Sequence, residues 1–433
     1  MSRFAAALSA HPVPTQAVGE VLGSVLEQLG GPPNEAVGPL AVPLGDDPVP
    51  SARPPDVAVL FATAAHTGAL EDVAAAVREV LRPGVLLGAT AVSVLGGAEE
   101  LEAAPGLALW AASFPRGVDP CLAVRLDTVG GQPGPDGAEG WAVRGLPAVA
   151  VDPDGDPRTL VVLVDPFSFP ADAFVDRLHE HHPRLAVVGG LASSARAPGG
   201  NRLVLDGATY HDGAVGVVLP AGVRCTAVVS QGCRPIGDPM TVTRAERNVL
   251  YELASEGALE KLTGLLGGLA PDERALAARG LHLGRVIDER AESTAPGDFL
   301  IRGVLGATRD TGAIVVGEAI EVGATVQFQV RDAGTADDEL RAMLAGRSAG
   351  SALVFTCNGR GAQLFGRPHH DAELVKAVAG PAVAGMFCAG EIGPVGGRSF
   401  LHGFTASVLL FDGHVDQHVG QYVDIPRGGD VEG

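Results

Sequence analysis

The chain has 433 residues, 46% of them hydrophobic and 19% charged, with a net charge of -20 and a pI near 4.9. This is a folded, acidic protein long enough for two or three buried cores, and no basic stripe with interleaved aromatics offers a face to nucleic acid. Its five cysteines, Cys121, Cys225, Cys233, Cys357 and Cys388, form no C-x-x-C pair; that argues against a metal site or a secreted disulfide framework and points to a reducing cytoplasm.

The opening "MSRFAAALSAHPVP" is interrupted by His11 and two prolines before a signal-peptide core can form, and no apolar run approaches the roughly 20 residues of a membrane span. One pattern then recurs three times. "DVAVLFAT" (Asp56 to Thr63) leads to "LEDVAAAVREVLRP", "GVLLGATA" and "GLALWAASF". "TLVVLVDP" (Thr159 to Pro166) leads to "ADAFVDRLHEHHP", "RLAVVGGLAS" and "GAVGVVLP", and "ALVFTCNG" leads to "DAELVKAVAGP", "VAGMFCAGEI" and "TASVLLF". Each copy reads as a buried strand, an amphipathic helix, a second buried strand, a glycine-rich loop and a further strand. Phe174, Val175 and Leu178 fall on one face of the second helix, while Asp371 and Glu373 suit the first turn of the third, where carboxylates favour the dipole. Continuously apolar strands are packed on both faces, which leaves the loops at their ends for function.

A different segment, about Val223 to Ala349, breaks this rhythm. Within it "MTVTRAERNVLYELASEGALEKLTGLLGG" predicts a long helix, and "DFLIRGVLGATRDTGAIVVGEAIEVGATVQFQVRD" predicts antiparallel strands with tight turns. "QPGPDGAEG" and "VDPDGDP" read as loops. The expected fold is α/β: two layered domains of repeated strand-helix-strand-strand units with mixed sheets, and an antiparallel segment in the C-terminal half. The expected boundaries are 1–230, 231–420 and a tail, 421–433.

The loop after the third copy's first strand concentrates chemistry: Cys357, Asn358, Gly359, Arg360 and Gly361. Glycine-loosened backbone there can form an anion-binding nest, with Arg360 as a bidentate fork for a carboxylate; the plain alternative is a tight turn over an inert thiol. Gly390 and Glu391 leave the partner strand at the equivalent point, so Arg360 and Glu391 together match the carboxylate and ammonium of a free amino acid. Alternatively, the two satisfy each other or cap nearby backbone. His402 is a further candidate donor or acceptor, or a structural histidine. On this reading Arg360→Ala removes binding and leaves the fold intact. A nucleophilic Cys357 would need a base such as His402 or Glu391 and a lowered pKa. The loops carrying His66, Thr90, Ser93, Asp165, Ser168, Gly189, Gly190 and Ser193 are polar enough to line a pocket, although ordinary turns explain them. "HEHH" (His179 to His182) fits a solvated helix end better than a metal site, and "GRGAQLFG" is not a phosphate loop. No cofactor or metal is expected.

"VVSQGCRPIGDPMTVT", "FTCNGRG", "LFG" and "AGEIGPVGGRSFLHGFTASVLL" resemble the FIST family, named for F-box and intracellular signal transduction proteins. The resemblance covers an N-terminal region up to about residue 220 and a C-terminal one from about 235 to 415. It implies a stand-alone bacterial-type member: a cytoplasmic sensor of a small polar metabolite, amino acids among them, that signals to a protein partner. A cysteine-dependent enzyme and a ligand-free interaction scaffold are the rival readings.

Overall fold

A computed structural model describes residues 1–30, 53–130, 142–151, 155–290 and 297–413. The predicted tail and the "QPGPDGAEG" loop lie outside the described residues.

The first part comprises β1 (Arg3–Ser9), α1 (Pro14–Leu29), β2 (Val57–Thr63), α2 (Leu70–Leu81), β3 (Val85–Ala91), the hairpin β4 (Val94–Gly96) and β5 (Glu99–Leu101), and β6 (Leu107–Ser113). The second comprises β7 (Leu122–Val129), β8 (Ala142–Arg144), β9 (Arg158–Val164), α3 (Ala171–His181), β10 (Leu185–Leu191), the hairpin β11 (Leu203–Leu205) and β12 (Ala208–Tyr210), and β13 (Ala214–Val218). Next come β14 (Cys225–Ser230), β15 (Cys233–Pro235), β16 (Met240–Glu246), β17 (Val249–Leu253), β18 (Glu256–Gly257), α4 (Ala258–Gly268), α5 (Pro271–Arg279), β19 (Leu281–Val286), β20 (Phe299–Thr308), β21 (Ala313–Val316), β22 (Thr325–Arg331) and α6 (Ala333–Leu344). The third copy closes the described chain: β23 (Ser351–Cys357), α7 (Ala362–Phe365), α8 (His370–Ala379), β24 (Val383–Cys388), the hairpin β25 (Glu391–Val395) and β26 (Arg398–His402), and β27 (Ala406–Phe411).

The fold is mixed α/β, as the three-copy pattern predicts. In each copy the two strands flanking the helix run parallel (β2 with β3, β9 with β10, β23 with β24), and the last strand returns antiparallel. An earlier strand extends each sheet: β1 beside β6, β7 beside β13, β14 beside β27. The hairpins go elsewhere. Hairpin β4–β5 of the first copy joins β24 of the third, hairpin β11–β12 of the second joins β3 of the first, and hairpin β25–β26 of the third joins β10 of the second. The three sheets are thus stitched in a ring, and their inner faces share one core containing Phe61, Trp110, Leu163, Val188, Phe355 and Phe411. Outside, α1 and α2 cover the first sheet, α3 covers the second with Phe174, Val175 and Leu178 buried, and α6 and α8 cover the third.

Between β14 and the third copy, β22, β16, β17, β21, β20 and β19 form a closed antiparallel barrel, because β19 pairs back onto β22. The stretch predicted as one long helix is here three strands, the last of them the two-residue β18, and a shorter helix. "MTVTRAE" alternates, Arg247 adopts φ 57 at the turn, and Val242, Leu250 and Leu253 point into the barrel core; the helix starts only at Ala258. Period-two burial overrode helix propensity.

A glycine recurs on the helix-facing side of each second strand: Gly88 opposite Leu60, Gly189 opposite Val162 and Gly385 opposite Val354. A Cβ at any of the three would collide with the backbone carbonyl oxygen of that partner, so these positions require close backbone approach. Gly385→Ala is expected to destabilise the protein by roughly 1–3 kcal/mol, read as a lower urea midpoint at unchanged slope.

Candidate functional site

The site lies where the parallel strands β23 and β24 end side by side, with Cys357 in register with Cys388. The backbone makes a tight turn there: Arg360 N–H donates to Cys357 C=O at 2.8 Å, and Asn358 N–H donates to Cys388 C=O at 2.9 Å. Gly361 takes φ 75, and a Cβ on it would lie 2.6 Å from the Glu102 carboxylate, which accepts from Ala362 N–H at 2.8 Å. The first copy's hairpin therefore clamps the loop of the third. Beside Glu102, Glu100 accepts from Ala372 N–H at 3.0 Å, and burial pushes its carboxyl up to about 7.

Arg360 points inward and is 1% exposed. Its Nε and Nη2 donate to Asp371 Oδ2 and Oδ1 at 2.8 and 2.9 Å, while Nη1 is buried without a protein partner. Asp371 is thus the guanidinium's counter-ion, not merely a helix-start carboxylate. Burial pushes its carboxyl up, but Arg360 and the hydrogen bonds from His370 and Thr356 outweigh that and hold it well below the usual range. His370 also reaches Asp337 on α6 at 2.7 Å and stacks on Phe365 at 3.4 Å.

Glu391 is fully buried. Its Oε2 accepts from Thr405 N–H and Oγ1 at 3.1 and 2.8 Å, and Oε1 has no partner. So Arg360 and Glu391 do not neutralise each other; each spends part of its capacity on another residue and keeps one buried polar atom free. Burial pushes the Glu391 carboxyl up to about 8 from the ordinary 4.5, against the hydrogen bonds from Thr405. Between those values the folded state holds a proton that the unfolded chain has lost. Stability from this group is therefore complete below pH 4.5 and declines as pH rises through about 8. Urea midpoints measured from pH 5 to pH 9 should fall, and Glu391→Gln should flatten that fall.

The barrel and α6 supply the rest. Arg331 Nη2 donates to Gly359 C=O at 2.6 Å, and its guanidinium lies 4.9 Å over the Phe404 ring. Glu339 accepts from Gly232 N–H at 2.7 Å and leaves Oε1 buried and unpartnered; burial raises its pKa. The His282 ring packs edge-on against Phe404 at 4.2 Å with Nδ1 unpartnered, and burial followed by Arg331 lowers it to about 4.

Among the sequence-predicted residues, Cys357, Gly359, Arg360, Gly361 and Glu391 meet here. Asn358 is exposed at the rim, and Gly390 C=O is taken up by Leu191 N–H. His402 pairs with Glu391 along the hairpin but turns its Nε2 to Gly393 C=O at 2.9 Å, and burial lowers it to about 4. Burial, and then Glu391, push the Cys357 thiol up to about 12; its polar contacts are Gly359 N–H at 3.4 Å and the Asn358 amide oxygen at 3.8 Å. In the N-terminal half several polar loop residues close on one another: Asp165 accepts from Ser168 and Asn201 at 2.6 and 3.0 Å, and Ser194 donates to Thr90 at 2.8 Å, while His66 is buried with both ring nitrogens unpartnered. Sequence reasoning missed Arg331, Glu339 and His282, which come from distant segments, and Phe404, two residues beyond His402, which nothing local marked as facing them. Two open surface clefts, about 640 and 570 Å³, lie elsewhere, against α2 and on the barrel rim. The first is lined by Arg78 and Asp206, already paired at 2.7 Å, whereas the buried junction gathers the unpartnered atoms of Arg360, Glu391, Glu339 and His282.

No helix among the described residues is long and apolar enough to cross a membrane. The FIST N domain matches residues 56–256 and the FIST C domain residues 258–394. An uncharacterized protein of Mycobacterium tuberculosis (strain H37Rv) is 44% identical over 365 residues, 82% of this chain and 91% of the relative. Another, from Mycobacterium bovis, is 43% identical over 369 residues, 82% of this chain and 90% of the relative. The two domain matches and the long alignments to bacterial relatives place the chain in the FIST family.

Proposed function

We propose that this protein is a cytoplasmic sensor that binds a small polar metabolite, such as an amino acid, at the junction of the 357–361 loop, hairpin β25–β26 and the barrel. One observation carries the reading: Arg360 Nη1, Glu391 Oε1 and Glu339 Oε1 are all buried without partners around one turn. Unsatisfied buried polar groups are costly, and a ligand that supplied an acceptor and donors would satisfy all three. The ligand's carboxylate meets Arg360, its ammonium meets Glu391 as that carboxyl gives up its proton to solvent, and occupancy shifts the barrel against the third sheet, changing a surface read by a signalling partner. The association of FIST domains with signal transduction and small-ligand sensing supports this reading.

The thiol reading has less behind it. Cys357 is held far from thiolate form, and Glu391 raises it further. A thermal-shift screen of amino acids and small carboxylates tests the proposal, with Glu391→Gln in parallel. Ligand at 100 times its Kd should add about 2.7 kcal/mol in the native protein and markedly less in the variant. A library that leaves the native protein unmoved favours the interaction scaffold.

A further inference from the structure

Phe404 is a bulky side chain on left-handed backbone, φ 69, in the one-turn link between His402 and Thr405. Such a conformation is rare for a residue with a large Cβ substituent and persists only where its surroundings impose it. Its ring is half-buried, held between the Arg331 guanidinium at 4.9 Å and the His282 ring at 4.2 Å, and it covers the apolar floor made by Cys233, Phe299 and Ile301. The same few residues bring in the unpartnered His282 Nδ1, and the next residue, Thr405, holds the Glu391 carboxyl whose Oε1 is unpartnered. A partly exposed ring on left-handed backbone therefore covers an apolar floor beside the orphaned His282 and Glu391 atoms.

Resting on the reading of this junction as a ligand site, we infer that Phe404 is a displaceable plug and that the ligand is an aromatic carboxylate, aromatic amino acids included. Its ring takes the slot between Arg331 and His282 when the Phe404 ring swings out, because the slot already suits a π-face beside a cation. Its carboxylate is taken by Arg331 in place of Arg360, because Arg360 is already paired with Asp371 whereas Arg331 has no carboxylate partner among the described ion pairs. Relief of the strained link at Phe404 favours the open form. The apparent affinity is reduced by the fraction of molecules whose plug is out.

The test uses phenylacetate as probe and toluene as the ring without the charge, in thermal-shift titrations of the native chain, Phe404→Ala and Arg331→Met. Phenylacetate should stabilise the native protein, bind Phe404→Ala roughly tenfold or more tightly because no plug competes, and lose its effect in Arg331→Met. Equal affinity for the native protein and Phe404→Ala overturns the inference. So does stabilisation of Phe404→Ala by toluene as large as that by phenylacetate, which marks a simple core hole. If another small carboxylate shifts the native protein through Glu391 while phenylacetate does not, the ligand site stands and the plug falls. Should Phe404→Ala fail to fold, ring-labelled phenylalanine NMR of the native chain decides, with the Phe404 signal assigned through Phe404→Leu. Phenylacetate must move that signal to a solvent-exposed position, and an unmoved ring overturns the inference.

Discussion

Arg360→Met is expected to cost about 3–5 kcal/mol of unfolding free energy, enough to unfold a marginal protein, because it strands the Asp371 carboxylate in the interior. Asp371 is 1% exposed and takes Nε and Nη2 of the guanidinium; without them only Thr356 and His370 remain as its side-chain donors. Asp371→Leu strands the guanidinium in the same way, with comparable loss. Arg360→Met combined with Asp371→Leu removes both charges together and should recover most of the stability, giving a large coupling energy in the double-mutant cycle. Urea unfolding of the four proteins measures it, and additive losses would mean that the pair is not the local anchor. The expectation from sequence, that Arg360→Ala leaves the fold intact, is corrected here: the residue is both a ligand candidate and a structural one, which is why Glu391→Gln is the cleaner test of binding.

Trp110→Ala should remove about 3–5 kcal/mol, the cost of emptying a large buried aromatic site. Trp110 is 1% exposed on β6, lies 5.0 Å from Phe411 of the third copy, and donates to Ser351 Oγ at 2.6 Å. The substitution is made in the N-terminal half, but the ring it removes also contacts Phe411 and Ser351 of the C-terminal half. Thermal unfolding followed by circular dichroism and by calorimetry should therefore show one transition moving as a whole. Two transitions, of which only one moves, would show that the halves unfold independently.

Much of this architecture was legible in the sequence, because each copy announces itself by apolar strands, a helix with one apolar face and a glycine-rich loop. The loop at Cys357 stood out for the same reason: glycines and polar groups follow abruptly on a buried strand. Partnership was not legible. The hydrogen bond from Ala362 to Glu102 spans 260 residues, and nothing local in "EELE" marks it as a clamp for a distant turn. Asp371 looked like an ordinary helix-start carboxylate because burial is decided by what packs over it, here Arg360 and α6. Arg331 and His282 sit in alternating barrel strands whose pattern marks faces, not neighbours. Likewise "MTVTRAERNVLYEL" holds enough helix formers to read as a helix, until the barrel requires its alternate side chains inside.

The ring of exchanged hairpins has a consequence for how such a chain can change. It has the form of a strand-swapped trimer whose three protomers have been joined end to end, each lending an arm to the next. In a true trimer of identical chains every substitution at a junction is made three times, and all three sites must tolerate it. Joined in one polypeptide, the first strands now end in Thr63, Val164 and Cys357, and only the third carries the arginine turn. Two junctions are released to serve as girders while the third specialises, and its chemistry can drift without tripling each error.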